Sequence, residues 1–284
     1  MSFDEHRIAT DDGVRVYARD YAHEGAHRLP VVCLHGLTRN SADFEALAPR
    51  IAHLGRRVIA IDARGRGRSD NDPEPARYRP DVYVGDVLRV MDTLNIPRAV
   101  FVGTSMGGIM TMIAAVVAPA RVAAAVLNDI GPVVDPRGLA RIASYVGKSG
   151  TFDSWYDMTA AVRSVGDTAF PDRGDEFWST FTRRVARERE DGRIEFAYDP
   201  LIAQAFTGGG APPDLMPLFH ALAQVPVLVV RGETSDILSQ DGVDAMLRVK
   251  PELEVAEVPD TGHAPTLDEP EAWDAIAAFL ARVE

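Results

Sequence analysis

Ser105 stands in Gly103-Thr104-Ser105-Met106-Gly107-Gly108, a Gly-x-Ser-x-Gly pattern where one periodicity gives way to another. Before it, Ala99-Val100-Phe101-Val102 is an apolar run of β-branched and aromatic residues that predicts a buried strand. After it, Ile109, Met112, Ile113, Val116 and Val117 recur at helical spacing until Pro119 ends the helix. A strand entering a helix through so tight a turn brings backbone segments close together, so small residues belong on both sides of the serine. The turn also lifts the hydroxyl clear of the sheet and sets it at a helix N-terminus. There the Met106 N–H and the positive end of the helix dipole favour negative charge. This is the geometry of a nucleophile elbow.

A serine hydroxyl needs a base at hydrogen-bond distance to act as a nucleophile at neutral pH. Of the seven histidines, His6, His23, His27, His53 and His220 lie in polar, helical or edge contexts that suit surface or structural roles. His35 ends a strand and precedes a glycine. His263, in Pro259-Asp260-Thr261-Gly262-His263-Ala264-Pro265, follows the last predicted strand and is the expected base. Ligands of open parallel sheets bind off the carboxyl ends of strands, and Ser105 sits at such an end too. A carboxylate must hold the imidazole in the right tautomer. Asp236, beyond the strand Val225 to Val230 and the turn Arg231-Gly232-Glu233-Thr234-Ser235, is the expected acid, with Asp129 at the end of Ala123 to Leu127 as its rival.

These residues need a sheet to align them. The chain opens with two strands around Asp11-Asp12-Gly13, then alternates nearly apolar strands with amphipathic helices up to Leu127 and again from Val225 onward. That alternation predicts an α/β fold with a mostly parallel central sheet flanked by helices. Between residues 133 and 217 it lapses into helical patches broken by Pro and Gly, rich in aromatics and including a predicted helix Phe177 to Arg189. We read 1–132 and 218–284 as the core domain and 133–217 as a helical insertion lying over it. Within the insertion Gly208-Gly209-Gly210 is a loop or hinge, and Trp155, Tyr156 and Trp178 are candidates for a substrate pocket.

Composition narrows the partners. With 284 residues, 46% hydrophobic and 25% charged, the chain reads as an ordinary globular protein. A net charge of −12 argues against gripping a phosphate backbone, so no nucleic acid is expected. No apolar run approaches a membrane span, and the polar N-terminus has no secretory pattern, so a cytoplasmic location and no membrane partner are expected. Cys33 is the single cysteine and falls inside the apolar run Val31-Val32-Cys33-Leu34, which makes it a core residue. Gly65-x-Gly67 lacks the third glycine of a dinucleotide loop, and no metal-ligand spacing occurs, so no cofactor is expected.

Taken together, His35-Gly36, Asp62-x-Arg64-Gly65-x-Gly67-x-Ser69, the Ser105 elbow, Arg231-Gly232-x-x-Ser235-Asp236 and Gly262-His263 resemble the α/β-hydrolase superfamily over nearly the whole chain. The resemblance implies that Leu37 and Met106 supply the two backbone N–H groups of an oxyanion hole and that the insertion is a lid. It implies acyl transfer through an acyl-enzyme on Ser105. Haloalkane dehalogenases and epoxide hydrolases of this fold carry aspartate at the elbow, and the His-Gly-Gly-Gly of many lipases is absent here. The glycine-rich oxyanion stretch of meta-cleavage-product hydrolases is absent too. A small carboxylic ester or lactone is therefore the expected substrate. The alternatives are C–C bond hydrolysis of a ring-fission product and a receptor-like protein that binds a ligand without turnover. The sequence does not fix the oligomeric state.

Overall fold

The computed structural model describes residues 1–22, 25–148, 150–206 and 214–284; the triple glycine and His23 lie outside the described residues. In chain order the elements are β1 (Asp4–Ala9), β2 (Arg15–Tyr21), β3 (Val31–Leu34), α1 (Leu47–Ala52), β4 (Val58–Ile61), α2 (Pro80–Thr93), β5 (Ala99–Thr104), α3 (Met106–Val117) and β6 (Val122–Asn128). The insertion holds α4 (Pro136–Tyr145), α5 (Trp155–Gly166), α6 (Asp175–Val185), β7 (Ala186–Glu188) and β8 (Ile194–Phe196). The core resumes with α7 (Met216–His220), β9 (Val227–Gly232), α8 (Gln240–Val249), β10 (Glu254–Val258) and α9 (Pro270–Arg282).

Eight strands form one sheet in the order β1-β2-β4-β3-β5-β6-β9-β10, in which β2 pairs antiparallel with both β1 and β4 and all other neighbours pair parallel. The apolar strands earn their places by filling both faces. In β5, Ala99 and Phe101 enter a core shared with α2, α3 and α8, while Val100 and Val102 enter a second core shared with α1 and α9. Alternate side chains of one strand thus serve opposite layers, which is why the strand reads as continuously apolar. Cys33 is fully buried in the second core, and burial pushes its thiol pKa far up.

The insertion departs from the expected all-helical form. The predicted helix Phe177 to Arg189 stops at Val185, and the chain turns into the antiparallel pair β7–β8. A turn at Asp191-Gly192, where Gly192 has φ +80°, reverses the chain. The charged stretch from Arg183 to Arg189 therefore straddles a helix end and a hairpin. Backbone and side-chain bonds seat the insertion on the core. Asn40 Nδ2 donates to the Arg184 carbonyl at 2.7 Å, the Gly67 N–H to the Ala197 carbonyl at 2.7 Å, and the Gly262 N–H to the Ala169 carbonyl at 2.7 Å. No helix among the described residues is long and apolar enough to cross a membrane.

Candidate active site

The elbow has the close contacts expected of it. Ser105 adopts φ 51°, ψ −112°, outside ordinary helix or strand space. A Cβ at Gly103 would stand 2.3 Å from the Gly107 carbonyl oxygen, and one at Gly107 would stand 2.0 Å from that of Leu34. A Cβ at Gly108 would strike Ile130 Cγ2 at 2.3 Å. All three glycines are therefore needed to press β5, α3 and the neighbouring chain together.

Because β3, β5, β6, β9 and β10 run parallel, the loops that follow them emerge on one rim of the sheet. His263 follows β10, two strands beyond β6, and its loop must cross the end of β9 to reach Ser105. It crosses at Gly232, where a Cβ would meet the carbonyl oxygens of Thr261 and Gly262 at 2.5 Å. Asn128 Nδ2 then holds the far side of the loop through the Pro265 carbonyl at 2.9 Å. The result is a linear chain: His263 Nε2 lies 2.8 Å from Ser105 Oγ, and His263 Nδ1 lies 2.7 Å from Asp129 Oδ2. An ionised carboxylate can only accept, so Nδ1 carries the proton and Nε2 offers its lone pair to the serine hydroxyl.

Asp129, and not Asp236, is the carboxylate on His263. It directly follows β6, the strand between β5 and β9, and is wholly buried. Its Oδ1 accepts the Gly232 N–H at 2.9 Å and its Oδ2 also accepts the Ser235 hydroxyl at 2.6 Å, so a buried charge is satisfied on both oxygens. Asp236 lies one strand further out and is taken by the insertion. Arg141 of α4 grips it through Nε at 2.5 Å and Nη2 at 2.7 Å. Partial burial works to raise the Asp236 pKa, but the Arg141 guanidinium outweighs it and holds the group below the usual carboxylate range.

The loop after β3 runs beside the serine: a Cβ at Gly36 would stand 3.9 Å from Ser105 Cβ. Two buried side chains, His35 and Arg66, fix it. His35 bonds the Gly36 carbonyl through Nδ1 at 2.6 Å, and its Nε2 accepts the Ala63 N–H at 3.0 Å. Burial pushes its pKa down to about 3, so the ring is neutral and serves as a clamp, not a base. Arg66 donates from Nε to the Leu37 carbonyl at 2.9 Å and from Nη1 to Tyr83 Oη at 2.8 Å, which locks the Leu37 peptide. The Leu37 N–H is unused among the described residues. Met106, as first residue of α3, has no carbonyl one turn back inside that helix for its own N–H.

A cavity of about 300 Å³ adjoins His263, walled by core residues Thr38 and Arg39 and by the insertion. The aromatic candidates do not line it. Trp178 is fully buried in the insertion's own core, packed edge-on against Phe170, Phe177 and Phe181. Tyr156 is 83% exposed, and Trp155 lies under the Arg183 guanidinium at 3.6 Å. The cavity's aromatic wall comes from Tyr145, Phe152, Phe170, Phe181, Phe196 and Tyr198. Aromatic content located the right segment, but side-chain direction within it depends on packing that no local pattern records.

Comparison with known proteins agrees with this architecture. A family model described as alpha/beta hydrolase fold matches residues 30–270. The chain is 33% identical over 252 residues to a 3-hydroxybutyrate-oligomer hydrolase of Cupriavidus necator, covering 84% of each chain. It is 30% identical over 232 residues to a 2-(acetamidomethylene)succinate hydrolase of Mesorhizobium japonicum, covering 81% of this chain and 79% of that one. Among solved structures, an alpha/beta hydrolase from Novosphingobium aromaticivorans superposes over 100% of both chains with TM-score 0.93 and 43% identity. With its eight-stranded sheet, its elbow and these relatives, the chain belongs to the α/β-hydrolase family and is a hydrolase homologue.

Proposed function

We propose that the protein is a serine hydrolase that cleaves a small carboxylic ester or lactone through an acyl-enzyme on Ser105. The observation that carries this reading is the continuous chain Ser105 Oγ–His263 Nε2 at 2.8 Å and His263 Nδ1–Asp129 Oδ2 at 2.7 Å. His263 accepts the Ser105 proton as the oxygen attacks the substrate carbonyl, and Asp129 stabilises the resulting imidazolium. The Leu37 and Met106 N–H groups face the developing oxyanion, and each such donor contributes on the order of 3 kcal/mol in the transition state. His263 then protonates the leaving alcohol, and a water activated by the same imidazole releases the acid. The name of the Cupriavidus relative, an oligomer hydrolase of a hydroxy acid, favours an ester bond over the C–C alternative.

The test is labelling with a fluorophosphonate probe followed by turnover of p-nitrophenyl esters, lactones and a vinylogous-diketone ring-fission product. Wild type is expected to label and to turn over esters, and Ser105→Ala to do neither. Labelling that survives in Ser105→Ala refutes the assigned nucleophile. Turnover confined to the ring-fission product replaces the ester reading, and labelling without turnover of any substrate favours the receptor-like one.

A further inference from the structure

The cavity beside His263 has a charge pattern opposite to that of the chain. The whole chain carries −12, yet the cavity wall contains Arg39, Arg141 and Lys148 and neither aspartate nor glutamate among the described residues. The carboxylates that balance two of these cations stand outside the wall. Asp43 accepts only the Nε of Arg39, at 2.9 Å to each oxygen, and the terminal nitrogens of that guanidinium bond nothing among the described residues. The Arg39 guanidinium lies 4.2 Å over the Phe181 ring, which holds it against the wall. Asp236 takes two donors of Arg141, and a guanidinium has five. Lys148 has no ion pair among the described residues. Three cations therefore face a cavity with two counter-ions behind them, and the rest of the wall is largely apolar.

We propose that the substrate bears a carboxylate, and that Arg141, Lys148 and Arg39 select it by supplying the charge-assisted hydrogen bonds this cavity leaves unmatched. The inference rests on the hydrolase reading of Ser105 and names the substrate class of that site. Arg39 follows the loop that carries Leu37, while Arg141 and Lys148 belong to the insertion. A bound carboxylate thus bridges core and insertion, closing over the reacting carbonyl while the apolar wall takes the carbon chain. A single unbalanced positive charge suits a monoanionic group. Arg39 and Arg141 are half-buried and Lys148 is exposed at the rim, and charge-assisted hydrogen bonds to such a set correspond to roughly ten- to hundredfold in affinity.

The experiment compares paired substrates that differ only in that charge: monoethyl succinate against diethyl succinate, and 3-acetoxybutyrate against its methyl ester. The first pair places the carboxylate on the acyl side and the second on the alcohol side. Ethanol release is followed for the first and acetate release for the second. In wild type at least one acid is expected to exceed its neutral partner about tenfold or more in kcat/KM, chiefly through KM. That ratio is expected to collapse in Lys148→Met and in the double variant Arg141→Met/Asp236→Asn, which removes the ion pair without leaving a lone buried charge. Because the ratio is taken within each variant, loss of active protein cancels. Neutral esters turned over as well as both acids, with Ser105 still labelled by fluorophosphonate, overturn this inference alone. A preference that survives in both variants overturns the assigned residues. An unlabelled Ser105 removes the hydrolase reading and this inference with it.

Discussion

Replacing Asp129 by asparagine separates the two carboxylates, because the amide cannot satisfy all three donors that converge on it. Oδ1 receives the fixed Gly232 N–H, whereas Oδ2 receives His263 Nδ1 and the Ser235 hydroxyl. A hydroxyl can rotate away and a backbone N–H cannot, so the asparagine oxygen stays with Gly232 and its NH2 faces the imidazole. Nδ1 must then accept, the proton moves to Nε2, and the lone pair that deprotonates Ser105 disappears. The imidazolium also loses its counter-charge in the transition state. In serine proteases the equivalent exchange lowers kcat by about four orders of magnitude, or about 5 kcal/mol in barrier. We expect that scale here, with the fold retained because the side chains are isosteric. Asp236→Asn removes only a half-buried pair with Arg141 and should cost neutral-ester turnover less than about tenfold. The assay is kcat for a neutral p-nitrophenyl ester together with the rate of fluorophosphonate labelling, with circular dichroism as the check on folding. A thousandfold loss in Asp236→Asn beside a small loss in Asp129→Asn would refute the tautomer argument.

Four further substitutions probe the supporting frame. His35, fully buried and neutral with its pKa pushed down to about 3, takes up no proton in the native state between pH 7.5 and 5.0, while the unfolded chain does. Stability therefore falls as the pH drops through 6.5, by about 2 kcal/mol over that interval. Denaturant titrations of His35→Gln should show a correspondingly shallower slope, and an unchanged slope would contradict a buried neutral ring. Gly107→Ala sets a Cβ 2.0 Å from the Leu34 carbonyl oxygen and should cost about 3 kcal/mol or more, read as a lower Tm. By contrast Gly85→Ala, in open space on α2, should raise stability by about 0.5–1 kcal/mol. Gly232→Ala forces the His263 loop off β9 and should lower kcat about a hundredfold at nearly unchanged KM. Full activity in that variant would mean the loop does not need the crossing.

The elbow is legible in the sequence because everything that makes it is local. An apolar strand, glycines flanking Ser105 and a helical period lie within about twenty consecutive residues, and steric necessity ties the glycines to the turn. His263 is legible for a related reason, since it follows a recognisable strand at the carboxyl end. The acid is not, because Asp129 and Asp236 both follow strands and the choice turns on sheet order. Only the placement of β6 between β5 and β9 puts Asp129 within reach, and only α4, far away in sequence, withdraws Asp236 by offering Arg141. One signal points the right way: Asp129 stands much nearer the end of its predicted strand, Ala123 to Leu127, than Asp236 does to the end of Val225 to Val230. The separation of the aromatic candidates from the His263 cavity has another cause. Trp155, Tyr156 and Trp178 share the insertion with that cavity's wall, but helix rotation directs Trp178 into the insertion's core and Tyr156 into solvent, and the three line a separate groove with Arg163 and Arg183.

The two aspartates at neighbouring strand ends divide the work by what each can afford to leave unpaired. Asp129 is fully buried, so its charge is tolerable only with every oxygen occupied, and Gly232, Ser235 and His263 occupy them from the core alone. Its partners therefore all belong to the core, and the insertion touches this network only one residue away, through the Gly262 N–H on the Ala169 carbonyl. Asp236 is partly exposed and can lose its partner to water at modest cost, which suits a carboxylate whose partner rides on the insertion. Had the roles been reversed, every movement of α4 would have left a buried charge bare and disturbed the imidazole at once. Placing the buried charge on β6 and the half-exposed one on the loop after β9 lets α4 hold the core through Arg141 without drawing on the carboxylate that bonds His263.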